Sequence, residues 1–429
     1  EELARGKSYL TAVNAGYRRS LPPVLDGHIT TMITAVVLFY FGLGPVKGFA
    51  TTQILGLILS LFCGILVSRW VTDMFLKRKV EPKYFTTISK NIFKHAQYKF
   101  VEFRKVAYVI SFIVLALGIG SFIHGFDYGV EFDGGRSYRV RFEKALSASE
   151  IETVRNDMQA VFEGENPIIK TIGNARTLEI TTSYLITDPN TVAADSIVET
   201  KLFEGLKPLL PEGYTYYQFA NAEKSDVAPG KIGSNKVLPT ISDDLKRGAF
   251  YATFIAIFLV FMYIFVRFRD WRYSLGTIVA LMHDVLVTLI VFSFAKEIVP
   301  FPLEIDQHFI AAILTVIGFS MNDTVIIFDR IREDRKLYPT APLATTINRA
   351  INETLSRTIM TSLTVFLTLL ILFAVGGEVT RGFAFAMLIG VITGIYSSVF
   401  VAAPILLDLG SGKKEEAANK KAEASKANG

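Results

Sequence analysis

The stretch His308-Phe-Ile-Ala-Ala-Ile-Leu-Thr-Val-Ile-Gly-Phe-Ser-Met-Asn-Asp-Thr-Val-Ile-Ile-Phe328 decides the fold class. It runs 21 residues with one carboxylate, Asp323. At 1.5 Å per residue that length crosses a hydrocarbon core of about 30 Å. Seven more stretches follow the same rule, at 28–44, 48–71, 106–124, 247–267, 273–294, 355–375 and 382–406. Of the 429 residues only 20% are charged, against about 25% in soluble domains, and mean hydropathy is +0.37. The chain therefore reads as a polytopic α-helical membrane protein with eight transmembrane helices, which excludes a soluble enzyme and a disordered scaffold. The single Cys63 lies inside an apolar stretch, so there is no disulfide framework.

Loop charges set the topology. From Arg69 to Lys105 there are ten Lys/Arg against Asp73, Glu81 and Glu102. Arg18 and Arg19 precede the first span, Arg267, Arg269 and Arg272 join the fourth to the fifth, and Arg330, Arg332, Arg335 and Lys336 follow the sixth. A Lys-rich tail, Lys413–Lys426, follows the last. Every second loop is basic, which assigns the net charge of +5 to membrane orientation rather than to nucleic acid. The expected order is a cytoplasmic segment (1–27), two spans (28–71), a basic cytoplasmic linker (72–105), one span (106–124), an outer domain (125–243), five spans (244–410) and a cytoplasmic tail (411–429).

The outer region reads as a small α+β domain. Ser137–Phe142, Ile168–Ile172 and Thr177–Thr182 read as strands, with Tyr214–Phe219 as a fourth. Ser147–Phe162 reads as a helix capped by Ser147 or Ser149. An interfacial helix is expected within 84–100, where aromatics and lysines mix, and a frayed tail beyond Gly410.

Sliding the chain by 334 residues lays the first two spans on the last two without a gap. Over positions 14–56 eleven residues are identical, among them Thr30/Thr364, Thr34/Thr368, Gly42/Gly376, Phe49/Phe383 and Gly56/Gly390. The repeated spans lie six crossings apart and run in the same direction, the plan of two halves about an axis along the membrane normal. Six spans in the second half imply six in the first. Four further spans and an outer domain are therefore expected upstream of Glu1, as the start of a larger 6+6 protein.

Charges inside a bilayer cost at least a few kcal/mol each, so they need a reason. Asp323 sits about five residues, ~7 Å, inside the cytoplasmic end of its span. Arg357 is at comparable depth in the next, so an ion pair between them is expected; protonating Asp323 would release it. Asn322 is expected to tune Asp323 by hydrogen bonding. His283 and Asp284 lie near mid-membrane, either on a proton path or in a clamp with Thr288 or a facing serine. Asp26 and His28 read as interfacial. Gly42, Gly44, Gly48 and Gly56 read as close-packing positions.

In Gly129-Val-Glu-Phe-Asp-Gly-Gly135, Glu131 and Asp133 have no third metal ligand near in sequence. Gly129, Phe132, Asp133, Gly134 and Gly135 therefore read as a structural turn from helix into strand. Walker A, HExxH, nucleophile-elbow and CxxC patterns are absent from the sequence. Work by this chain needs an energy source other than bound nucleotide, and it reads as a transport protein rather than an enzyme.

Taken together these residues resemble the SecD/SecF membrane proteins of the bacterial Sec system. Gly129–Gly135 is similar to the SecF motif after its first span, with Asp133 in place of the common Thr. Ala280-Leu-Met-His-Asp-Val-Leu286, the stretch from Asn322 to Glu333, and Leu355-Ser-Arg-Thr-Ile359 resemble later SecF motifs. Residues 10–69 resemble the last two SecD spans. The resemblance implies a fused SecDF of the RND superfamily, in the bacterial inner membrane, with both ends of this chain cytoplasmic and residues 125–243 periplasmic. It implies a device driven by an H⁺ (or Na⁺) gradient, without a cofactor, in which Asp323 and Arg357 match the proton path. It further implies SecYEG, SecA, a YajC-like subunit and preprotein as partners. An RND-type small-molecule or lipid exporter and a non-transporting translocon scaffold are the alternatives.

Overall fold

The computed structural model describes residues 2–3, 6–42, 44–78, 80, 97–172, 176–188, 190–225, 227–299 and 301–410. Most of the expected interfacial helix of 84–100, much of the basic linker and the tail lie outside the described residues. Eight helices among the described residues are long and apolar enough to cross a membrane. The first three are α1 (Tyr9–Phe41), α2 and α3 (Arg104–His124). Helix α2 is Gly44–Leu61, carried on through a π-helical stretch, Phe62–Val67, into Ser68–Lys77. Helix α1 begins 19 residues before the hydropathy boundary at 28, because its first turns are polar and hydropathy registers only the part that suits lipid.

After α3 the chain makes β1 (Asp127–Tyr128), the one-turn α4 (Val130–Asp133) and β2 (Gly135–Arg141). Helix α5 (Ala148–Val161) follows a capping box in which Ser147 and Glu150 satisfy each other's backbone N–H. Then come β3 (Ile168–Ile172), β4 (Thr177–Thr182), α6 (Thr191–Leu206), α7 (Tyr216–Ala220) and β5 (Gly230–Val237). The antiparallel sheet has the order β3-β4-β2-β5. Val140, Leu178 and Ile180 pack in one core with Val154 and Met158 of α5 and Val198 and Leu202 of α6. The expected strand at Tyr214–Phe219 is a correction. Thr215 and Gln218 form a second capping box that starts α7, and the fourth strand is β5 instead.

The remaining helices are α8 (Pro239–Phe268), α9 (Trp271–Ala295), α10 (Gln307–Leu337), α11 (Leu343–Val375) and α12 (Glu378–Ser397). The last continues through a π-helical stretch, Ser398–Ala402, into Ala403–Leu409. Before α10, β6 (Glu304–Ile305) pairs in parallel with β1. Asp306 caps α10 by accepting from the Phe309 N–H at 2.7 Å, and Arg335 and Lys336 in its last turn suit the helix dipole. Helix α10 is the axle of the bundle, in contact with α1, α8, α9, α11 and α12. Small residues let neighbours approach it: a Cβ at Gly390 of α12 would overlap Val316, one at Gly394 would lie 3.0 Å from Ser320, and one at Gly318 would lie 2.8 Å from Thr34 of α1. The close-packing role expected of Gly42, Gly48 and Gly56 is therefore corrected. Gly42 caps α1, its N–H bonded to Leu38 O at 2.7 Å, whereas a Cβ at Gly48 or Gly56 would meet no described atom within 4 Å. Gly44 stands at the start of α2.

The internal repeat is visible in three dimensions. Helices α1 and α11 have 33 residues each and are offset by 334 at both ends. Gly42 and Gly376 end them in the same way, each N–H bonded four residues back. Both second helices carry a π-helical stretch at nearly matched places. Repeat-related Phe49 and Phe383 touch edge to face at 5.4 Å, the self-contact expected beside a two-fold axis.

Candidate functional site

Asp323 is 1% exposed on α10, and its Oδ2 accepts from Ser362 Oγ of α11 at 3.1 Å. Its Oδ1 is buried with no hydrogen-bond partner among the described residues. The geometry follows from the helical period of α11. Thr358, Ser362 and Leu369 fall on the buried face, whereas Arg357, Thr361, Thr364 and Thr368 form an exposed stripe. Five residues separate Arg357 from Ser362, a rotation of about 500°, which sets them roughly 140° apart around the helix. The expected Asp323–Arg357 ion pair is therefore not formed, and Arg357 makes no ion pair among the described residues. Asn322 is corrected too. Neighbours in sequence do not face each other on a helix, and the Asn322 amide packs on α1, where a Cβ at Gly27 would overlap its Oδ1.

Asp284 of α9 is 1% exposed, and its Oδ2 accepts from Ser320 of α10 at 2.6 Å and Ser397 of α12 at 2.8 Å. The facing serines therefore hold this carboxylate across three helices. Thr288 contributes nothing to it, because its hydroxyl donates to the Asp284 backbone carbonyl at 2.9 Å. His283 stacks on Tyr396 at 5.6 Å, with Nδ1 3.6 Å from Asp284 Oδ1. Ser320, which bonds Asp284, lies on α10 one turn before Asp323. Asp284 and Asp323 each have one carboxylate oxygen free of hydrogen bonds among the described residues.

The Gly129–Gly135 segment holds the extramembrane domain to the bundle. The Gly129 N–H donates to Ile305 O at 3.0 Å, Phe132 is 3% exposed in the bundle core, and Asp133 lies 3.5 Å from Lys246. Gly134 (φ 78°) takes the left-handed conformation that a turn from α4 into β2 requires, and a Cβ at Gly135 would lie 2.9 Å from Thr182 O. Asp133 faces Lys246, whereas Glu131 lies beside Gly129 and Asp306. Among the described residues no group of three His, Cys, Asp or Glu could hold a metal ion.

One site escaped the reading from sequence. Asp26, expected at the interface, is 5% exposed. It accepts from Arg267 of α8 at 2.8 and 2.9 Å and from Tyr263 OH at 2.6 Å. Arg267 also reaches Asp329 of α10 at 3.3 Å, so one guanidinium ties α1, α8 and α10 together. A carboxylate and an arginine both drawn inside helix ends were the available signal; which two would meet depended on helix packing.

Comparisons place the chain among export proteins. The family model described as "Protein export membrane protein SecD/SecF, C-terminal" matches residues 219–412. Protein translocase subunit SecF of Rhodothermus marinus is 41% identical over 322 residues, covering 74% of this chain and 95% of that relative. Protein translocase subunit SecDF of Thermus thermophilus is 31% identical over 425 residues, covering 98% of this chain and 52% of that relative. The crystal structure of SecDF, a translocon-associated membrane protein, from Thermus thermophilus superposes with a TM-score of 0.76 at 30% identity, over 95% of this chain and 51% of that one. The chain spans about half the length of the SecDF relatives and nearly all of this SecF relative.

Proposed function

The chain belongs to the SecD/SecF family of protein-export membrane proteins, and on that premise we propose that it is a gradient-driven subunit of the Sec preprotein translocase. It is a multi-pass membrane protein, for which we propose the bacterial inner membrane, with residues 125–243 periplasmic and the α1 start and α12 end cytoplasmic. Its role is to promote late translocation and release of exported proteins after SecA has pushed them through SecYEG, alongside a YajC-like subunit. Proton flow, or Na⁺ in its place, supplies the work, without a nucleotide site or resident cofactor.

The observation that carries this reading is the Asp323 carboxylate, buried at the centre of the bundle with one hydrogen bond and one free oxygen. A static clamp would satisfy both oxygens, whereas a group that gains and loses a proton needs a site tolerable in both forms. Protonation changes the bond to Ser362 and so the register of α11 against α10. Arg357 acts from the exposed stripe of α11. The matching stripe of the first repeat copy, Thr30 and Thr34, is buried in this structure, with Thr34 against Gly318 of α10. By the internal symmetry, the Arg357 stripe is the surface on which a helix equivalent to α10 would seat. Asp284 with Ser320, Ser397 and His283 is the secondary station.

The test is completion of preprotein translocation by the full-length protein in sealed vesicles with an imposed ion gradient, comparing wild type with Asp323→Asn. Loss of gradient dependence with assembly and stability unchanged is expected. Normal gradient-dependent completion in the variant would remove Asp323 from the mechanism and favour a scaffold.

A further inference from the structure

The turn from α8 into α9 is short and basic. Arg269 ends α8 in the left-handed conformation, its N–H bonded to Phe265 O at 2.8 Å. Asp270 caps α9 by accepting from the Arg272 N–H at 3.0 Å. Arg332, Arg335 and Lys336 of α10 stand at i, i+3 and i+4, so helical spacing sets them on one stripe. Arg332 places that stripe against the α8–α9 turn. Its guanidinium donates to Arg267 O at 3.3 Å and lies 5.2 Å from the centre of the Phe268 ring. Phe268 in turn stacks on Tyr273 of α9 at 4.9 Å. Arg272, Arg332 and Arg335 all come within electrostatic reach of the Tyr273 hydroxyl, alongside Asp270.

This cluster has more donors than acceptors. Arg267 is held by Asp26 and Arg332 by Asp329. Glu333 and Asp334, the other acids at the end of α10, are taken by Arg19, Arg330 and Arg349. Arg269, Arg335 and Lys336 form no ion pair among the described residues, and the Tyr273 hydroxyl makes no hydrogen bond among them. Arg272 Nε is buried without a hydrogen-bond partner, 3.9 Å from Asp270 Oδ1. Asp270 alone cannot satisfy these groups. The level of the cluster is set by its apolar neighbours. Phe265 and Val266 before the turn and Trp271 after it are 42%, 68% and 50% exposed. On membrane-crossing helices such surface faces lipid, and tryptophan marks the depth of the headgroups. A ligand here meets acyl chains on one side and unpaired cations on the other. A headgroup phosphate supplies the missing acceptors, because its oxygens are anionic and arginine binds them as a fork.

We propose that Arg269, Arg272, Tyr273, Arg335 and Lys336 form a headgroup site for an anionic phospholipid, with Trp271 beside its acyl chains. In the orientation proposed above, the lipid belongs to the cytoplasmic leaflet. Basic pockets between membrane helices on that side are suited to such headgroups. An acidic protein segment would match the charge but not the exposed Val266 and Trp271 that border it. The site rests on the chain crossing a membrane and not on proton flow through Asp323, so it stands or falls separately from the gradient-driven reading. It requires no conformation other than the one described.

The chain has two tryptophans, Trp70 and Trp271, so Trp70→Phe leaves Trp271 as the sole indole reporter. The full chain is reconstituted in phosphatidylcholine vesicles holding a minor fraction of phosphatidylglycerol, with bromine on the acyl chains of one lipid or the other. At equal bromine content, quenching of Trp271 reads which lipid lies beside it. One cation near the surface favours anionic lipid by about fivefold, so a preference for phosphatidylglycerol of at least about fivefold is expected. Arg272→Gln with Arg335→Gln should bring the two lipids close to equality. Lys77→Gln with Arg78→Gln, which removes the same charge at the end of α2, should leave the preference intact. Equal quenching in the parent chain overturns the site and leaves its cations to an acidic protein segment; that comparison needs no charge variant to fold. A preference that survives Arg272→Gln with Arg335→Gln overturns it as well, as does one that both double variants weaken alike. Loss of the preference in excess soluble glycerol phosphate would assign the cations to a soluble phosphate ester and overturn the lipid.

Discussion

The helix pairs α1–α2 and α11–α12 are two copies of one sequence placed in opposite surroundings. Their first helices have the same length and end on the same glycine bond, and their second helices share the π-helical interruption. Burial is nonetheless exchanged between them. Thr30 and Thr34 of the first copy are buried, Thr34 against Gly318 of α10, while the matching Thr364 and Thr368 are exposed. In the second helices the order reverses: none of the most apolar 18-residue stretch of α2 is buried, against 61% of that in α12. Gly56 meets open space where Gly390 admits Val316. The repeat specifies a helix pair, and the partner that each face receives comes from elsewhere in the fold.

The largest way to break this comparison is at the ion pair that only the first copy owns, since Asp26 corresponds to Met360 in the second. Arg267→Ala leaves a buried carboxylate unpaired and is expected to cost about 3 kcal/mol, read as a fall in thermal stability in detergent. An unchanged melting temperature would mean that α1 is held by apolar packing alone. The paired substitutions Gly390→Val and Gly56→Val sharpen it further. The first overpacks α10 and should cost about 2 kcal/mol, the second less than about 0.5 kcal/mol. Equal damage at Gly56 in the full-length protein would show that further helices cover α2 there.

Smaller effects probe the two buried carboxylates. Ser320→Ala and Ser397→Ala each remove one bond to Asp284 and should cost about 1 kcal/mol apiece, with non-additive loss in the double variant. Smallest is a null: a double-mutant cycle between Asp323 and Arg357 should give coupling near zero, against about 1 kcal/mol between Asp323 and Ser362. Strong coupling at Arg357 would reveal a second arrangement of α11 and collapse the distinction between its two stripes.

The eight membrane-crossing helices were legible because hydropathy is a one-dimensional property, summed along the chain. So were β3, β4 and the Ser147 cap, where periodicity and capping chemistry act within a few residues. The Tyr214–Phe219 misreading came from four aromatics whose strand propensity was overridden by the Thr215–Gln218 capping box. The Asp323–Arg357 pairing rested on equal depth alone. Depth leaves helix rotation undetermined, and about 140° of rotation separates Arg357 from the residue that does reach Asp323.

By itself the sequence determined the spans, the alternation of basic loops, the duplicated helix pair and the presence of unusual carboxylates within apolar helices. Each of these is a local energy, of transfer into lipid or of turn and cap formation, that needs no knowledge of a neighbour. Only the tertiary structure decided that Asp323 meets Ser362, that Asp284 is gripped by two serines, that Asp26 seeks Arg267, and that Lys170 docks on Glu304. Those pairings join residues from 36 to 241 positions apart. Such contacts are set by which helix face turns inward, and that choice belongs to the packing of the whole bundle.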